Sequence, residues 1–224
     1  MKKILLLLPV ILLHQTVQAQ SLNWARLENG PTHLVSLQAG WEDALVLGAS
    51  YGYRLPSRLP VVLSARYSFP SGQQLLDDFK LQAGAQIRFY HTGNFQWSAQ
   101  ANAIYRRYQN PLVRLQNAGA ELIATAGYYR PRWFAAGSFG FDRAIATHFK
   151  HSDSFRDNIF SSVQDGWQYG TGGHFRYGIQ AGYSFAQHDI SFQLGKVIAQ
   201  DFKTSPLIPY YVQLAYQLRI DRKR

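Results

Sequence analysis

Residues 165–185 read DGWQYGTGGHFRYGIQAGYSF. From Trp167 the odd positions carry Trp, Tyr, Thr, Gly, Phe, Tyr, Ile, Ala, Tyr and Phe, while the even positions carry Gln, Gly, His, Arg and Ser. Side chains alternate between two faces in a strand; a helix would scatter both sets round its circumference. The stretch is one long strand with an apolar face and a polar face. Which face meets water is decided by the rest of the chain.

The same period recurs throughout. It predicts strands over His33–Trp41, Ala44–Leu55, Val61–Phe69, Asp78–Phe89, Phe95–Arg106, Asn117–Tyr129, Trp133–Asp142, Trp167–Phe185, Ile190–Ala199 and Tyr210–Ile220. That makes ten antiparallel strands in an all-β, up-and-down order, with eight and twelve as the neighbouring even counts. Joins after the even-numbered strands are short and contain turn residues such as His91-Thr92-Gly93-Asn94. Most joins after the odd-numbered strands are longer; Arg107–Gln116 and Arg143–Gln164 read as loops.

The ends place the chain in a compartment. Lys2 and Lys3 precede an apolar run over Ile4–Leu13, and Val17-Gln18-Ala19 has the form of a signal-peptidase site. Residues 1–19 therefore read as a cleaved signal for the Sec route, 20–32 as an N-terminal periplasmic segment, 33–220 as the barrel and 221–224 as a basic tail. No later segment approaches the 18 continuous apolar residues of a spanning helix.

Composition removes several classes. The chain has no Cys, so it forms neither disulfides nor thiolate metal sites. Without the signal lysines, the 23 basic and 13 acidic residues leave a formal excess of +8. The bases are spread over many strands, and export conflicts with a nucleic-acid partner. No phosphate loop, nucleophile elbow or zinc motif occurs. His148 and His151 lack a third ligand, so neither metal nor cofactor is expected.

A soluble barrel shows the same alternation, so the belts decide. Aromatics flank the short turns at Tyr51, Tyr53, Phe89, Phe95, Trp97, Tyr128, Trp133, Tyr183, Phe185 and Phe192. The opposite strand ends carry Trp41, Tyr67, Phe69, Phe79, Tyr105, Phe139, Phe141, Trp167 and Tyr210, with Ala and Leu between. Two aromatic girdles around an apolar band are the wall of a transmembrane barrel, and closure leaves no edge unpaired in lipid.

On these residues the chain resembles the small outer-membrane β-barrels of Gram-negative bacteria. Its last strand resembles the terminal signal read by the barrel assembly machinery, with Gln213, Ala215, Leu218 and Ile220 in the polar, small and apolar positions. It lacks the usual final aromatic and adds Asp221–Arg224. The resemblance implies an outer-membrane location, lipid as the surrounding partner and the assembly machinery as a transient one; it names no small-molecule or protein ligand.

Two constellations could carry function. Counting from the short turns places Lys80, Arg106, Glu121, Asp142, His174 and Arg176 in one layer of the lumen. Such a layer either closes the lumen with ion pairs or forms a narrow anion-preferring passage. The second lies in the long loop: His148, His151, Asp153 and Asp157, with Asp77, Asp78 and Asp201 on facing loops. Acids and His at the rim of a ten-stranded barrel resemble the omptin proteases, in which paired acids and an Asp–His dyad activate water; Asp77-Asp78 and His151-Ser152-Asp153 are the counterparts. The expectation is a structural, surface-interaction or narrow-passage protein, with a rim hydrolase, protease or lipid-modifying, as the alternative.

Overall fold

The computed structural model describes residues 21–27, 32–41, 44–71, 77–202 and 209–221. The signal, its cleavage after Ala19 and the 222–224 tail lie outside them. Ten strands form one closed barrel, each paired antiparallel with its neighbour in sequence and β1 closing on β10. They are β1 Thr32–Trp41, β2 Leu45–Arg54, β3 Val61–Pro70, β4 Phe79–Thr92, β5 Phe95–Gln109, β6 Val113–Tyr129, β7 Trp133–His151, β8 Gly166–Phe185, β9 His188–Ala199 and β10 Tyr210–Asp221. A short helix α1, Asp153–Asn158, lies between β7 and β8.

The wall faces out with its apolar set. Leu37, Leu122 and Ile179 are 61%, 64% and 66% exposed, which in water would be untenable for so continuous a surface. Rings meet across strands at both margins. Phe79 stands 5.7 Å from Tyr67 and 5.9 Å from Tyr105, and Phe141 stands 4.6 Å from Phe175. Towards the short turns, Tyr128 lies 5.5 Å from Trp133 and His188 stacks between Phe185 and Tyr216.

Strand length corrects two loop assignments. Residues 107–116 are mostly ladder, with Arg107↔Gln116 and Gln109↔Arg114 paired and only Asn110–Leu112 joining β5 to β6. Residues 143–151 continue β7, which pairs to Val113 on one side and to Gly166 on the other. The polarity of these residues resembled a loop because this part of the wall rises past its neighbours: β7 and β8 have 19 and 20 residues against 10 in β1–β3. The ladder re-registers where the extension begins. Ile145 is bypassed between Ala144 and Ala146, and the facing β8 residues Gly170 and Gly172 adopt φ of +65° and +149°. Left-handed backbone of this kind is cheap only for glycine.

The N-terminal segment is part of the interior. Residues 22–27 enter the short-turn mouth, where Leu22, Trp24 and Leu27 are buried against Leu34, Val62, Tyr129, Phe134 and Ala136. This is the main apolar cluster of the interior. Gly182 makes room for it: a Cβ there would stand 2.2 Å from Cε1 of Phe134, which lies across the strand and stacks on Tyr129.

Candidate functional site

The site builds from the inward set of β4 to β8. Register places Lys80 opposite Arg106, Asn102 opposite Glu121, Glu121 opposite Asp142, and Asp142 opposite His174. Arg176 follows one inward position below His174 and faces Gly140. Lys80, Arg106, Glu121, Asp142 and Arg176 are buried; His174 is half-buried. The layer read from the sequence is thus assembled side by side.

Its contacts are those of a closure. Arg106 donates from Nη2 to Oδ2 of Asp142 and from Nη1 to Oδ1 of Asn117 at 3.1 Å. Arg176 Nη2 stands 3.5 Å from the same Asp142 oxygen. Glu121 Oε2 accepts from Asn102 at 2.7 Å and from Gln82 at 3.2 Å. Above, Asn117 donates to Thr147, whose hydroxyl meets that of Thr171 at 2.6 Å. Buried charges persist only when partnered, and Arg106, Glu121, Asp142 and Arg176 share such contacts, while Nε of Arg106 and Nε and Nη1 of Arg176 have no hydrogen-bond partner. Two cavities left among the polar side chains measure about 10 Å³ each, at the lower bound for one water.

The mouth below is closed by the N-terminal segment. Asn23 donates through Nδ2 to the carbonyl of Arg130 at 3.0 Å and to Oγ of Ser184 at 2.9 Å. Arg26 donates to the carbonyls of Ala186 at 2.6 Å and Pro131 at 3.3 Å. One segment thus ties the β6–β7 turn to the β8–β9 turn. Sequence reasoning missed this plug. The available signal was a Trp and two Leu just beyond the expected cleavage point, with no strand to hold them. It also placed Asp189 in a turn, whereas Asp189 is the second residue of β9, buried, and 3.0 Å from Nε of Arg219.

The rim residues fall differently. His148 and His151 stand on β7 and Asp153 and Asp157 on α1. His151 pairs with Asp165, Nδ1 to Oδ1 at 2.8 Å, and its backbone N–H donates to the same oxygen. Asp165 also accepts from Arg156. The His151 backbone and ring donors and the Arg156 guanidinium hold the Asp165 carboxyl down at about 2. Asp153 meets Arg156 instead, at 3.5 Å, and Ser152 accepts from Phe155 N–H as the α1 cap. Asp77 and Asp78 precede β4, with β5 and β6 between them and His151. Burial raises the Asp78 carboxyl to about 6, against the bond it accepts from Gln109 N–H. The rim has an oriented imidazole and no carboxylate pair beside it among the described residues.

An apolar outer wall, two aromatic margins, a polar interior and complete closure leave one architecture. The chain is a closed ten-stranded β-barrel with the wall of a transmembrane barrel. No family model matches it, and no curated protein matches it in sequence. Among solved structures it is similar to an outer membrane channel from Pseudomonas putida F1, with 14% identity, 91% of this chain and 100% of that one covered, and a TM-score of 0.49. The outer membrane protein OpdK from Pseudomonas aeruginosa aligns at 9% identity over 87% of this chain and 99% of that one, TM-score 0.24. OprD from Pseudomonas aeruginosa aligns at 11% over 81% and 63%, TM-score 0.18. Likeness at this level carries nothing about what the barrel does.

Proposed function

We propose that this barrel is closed to free passage at rest and acts through the face it presents on its long-loop side. The reading places it in the outer membrane of a Gram-negative cell after Sec export, with the short turns and both termini in the periplasm. Outer-membrane lipid surrounds it, and the barrel assembly machinery is its partner during insertion. The observation that carries the reading is the seated N-terminal segment: Leu22, Trp24 and Leu27 fill the short-turn mouth beneath a lumen already crossed by the Arg106–Asp142–Arg176 contacts. The tall β7–β8 hairpin then remains as the part that reaches beyond the wall. The test is conductance of the purified barrel in planar bilayers. The expected record is flat; steady ohmic steps with anion selectivity would replace this reading with that of a narrow passage.

A further inference from the structure

The outward face above the long-loop belt carries an excess of positive charge. Register fixes its rows. Arg107, Gln116, His148 and Trp167 lie side by side across β5 to β8. Two residues higher along each strand, Gln109, Arg114 and Lys150 form the next outward row. Lower, Arg143 is exposed opposite Ala120, just above the Phe141–Phe175 ring contact. Arg114 and Lys150 are direct cross-strand partners, an arrangement of like charges that destabilises a sheet.

Few carboxylates stand near this face. Glu121 and Asp142 point into the lumen, and Asp165 is taken by His151 and Arg156. Asp77 stands 3.9 Å from Arg107, and Asp78 accepts from Gln109 N–H beside it. Nε of Arg107, Nε of Arg114 and Nδ1 of His148 are all buried without a hydrogen-bond partner. The wall below the long-loop belt carries shallow grooves. One groove of about 670 Å³ runs over Ala65, Ala83 and Ala103 between Tyr67 and Tyr105. Another of about 760 Å³ runs over Ala124, Ala126 and Gly137, with Lys196 on its lining.

We propose that this face binds the phosphate-bearing headgroup of a lipid in the leaflet on the long-loop side, with acyl chains in the alanine-floored grooves. The proposal rests on the membrane-barrel reading given above. Guanidinium forks match phosphate oxygens, and several bases stacked along one wall suit a headgroup with more than one phosphate. Bases at a membrane surface attract anionic lipid additively, so losing two of them weakens occupancy by about tenfold or more.

The experiment folds the full barrel into phosphatidylcholine vesicles doped with diphosphoryl lipid A, monophosphoryl lipid A or phosphatidylglycerol, with inorganic phosphate as a separate arm. Lipid retained on the barrel is read by native mass spectrometry and stability by the heat-modifiable band. Retention should fall from diphosphoryl to monophosphoryl lipid A, and inorganic phosphate should neither bind nor compete. The variant R114Q/K150Q should lose retention about tenfold, while R132Q, which removes an exposed base at the short turns, should not. In vesicles without phosphorylated glycolipid the double variant should be at least as stable as the parent. Equal retention of all lipids, indifference to R114Q/K150Q, or a dimer band lost in that variant in place of a lipid adduct would overturn the proposal. A chain that reaches no heat-modifiable form in any vesicle would overturn the membrane reading and this one with it.

Discussion

Trp24→Ala should release the N-terminal segment and leave the barrel standing. Leu22, Trp24 and Leu27 are each 1% exposed. Their burial contributes about 2–3 kcal/mol apiece, and the four bonds made by Asn23 and Arg26 add about 1 kcal/mol each. The gain is roughly 10–13 kcal/mol. Ordering residues 21–27 costs about 7–14 kcal/mol of backbone entropy. The two nearly cancel, so the seated state is held by a few kcal/mol. Removing a buried Trp costs about 3–5 kcal/mol, enough to tip the balance outward. The wall does not share that loss, because β1–β10 hydrogen bonding continues around the ring without the segment. The assay uses the absence of native Cys. Ser184→Cys puts a thiol where Asn23 now donates, at a position 1% exposed. A membrane-impermeant maleimide should label it slowly in the parent and fast with Trp24→Ala. Trp24→Phe should keep it slow, since the indole Nε1 is buried with no partner and its loss removes a penalty. Conductance should stay flat in all three, because the Asp142 layer closes the lumen independently. Equal labelling with and without Trp24→Ala, with the heat-modifiable band intact, would refute the plug.

Three further outcomes follow from single contacts. Asp142→Asn takes the charge from the oxygen shared by Arg106 and Arg176; breaking a buried pair costs about 3–5 kcal/mol, so an unchanged urea midpoint in vesicles would sink the account of the layer. Burial raises Asp78 from 3.8 to about 6, so its penalty is absent below 3.8 and complete above about 6. Asp78→Asn keeps the acceptor for Gln109 N–H, and should raise stability at pH 7.5 while flattening the fall between pH 4 and 6; a parallel pH profile would exclude Asp78 as its source. Asp165 is held at about 2, so the order it gives the β7–β8 hairpin is present above the unfolded carboxyl value and lost as pH falls towards 2. Pepsin cleavage within residues 152–165, taken relative to an unstructured peptide at the same pH, should accelerate over that fall in the parent, and the ratio should stay flat in Asp165→Asn.

What the sequence showed and what it hid divide along one physical line. Alternation reports the face on which a residue lies, because period two is a backbone property. Hence the outward aromatics and the inward Lys80, Arg106, Glu121, Asp142 and Arg176 were legible one residue at a time. Alternation does not report where a wall stops being membrane. Residues 143–151 carry Arg143, His148, Lys150 and His151, and polar residues on both faces read as loop. They are strand because the ladder to β6 and β8 continues and water can solvate an extended sheet on either side. The plug escaped for a different reason. Leu22, Trp24 and Leu27 have no period, and a three-residue 3₁₀ turn has no sequence signature of its own. Its fold is dictated by the hole it fills, not by its own propensity.

The bulge at Ile145 joins these two halves. Below it, even-numbered β7 residues such as Asp142 face the lumen; above it, Thr147 does, buried against Asn117 and Thr171, and His148 and Lys150 turn outward. One unpaired residue therefore sets which side of the wall the upper bases occupy. Without the slip, His148 and Lys150 would point over the lumen, above a layer already rich in Arg and Lys, and Thr147 would be outside. With it, the positive charge stands over the lipid-facing band while the lumen keeps neutral hydroxyl and amide closure above Asp142. Bulges re-aim side chains in this way at the rims of barrels. The same slip demands left-handed backbone on β8, which Gly170 and Gly172 supply. Gly170 and Gly172, two glycines of the polar set of residues 165–185, thus belong to the device that places the outer bases on their face.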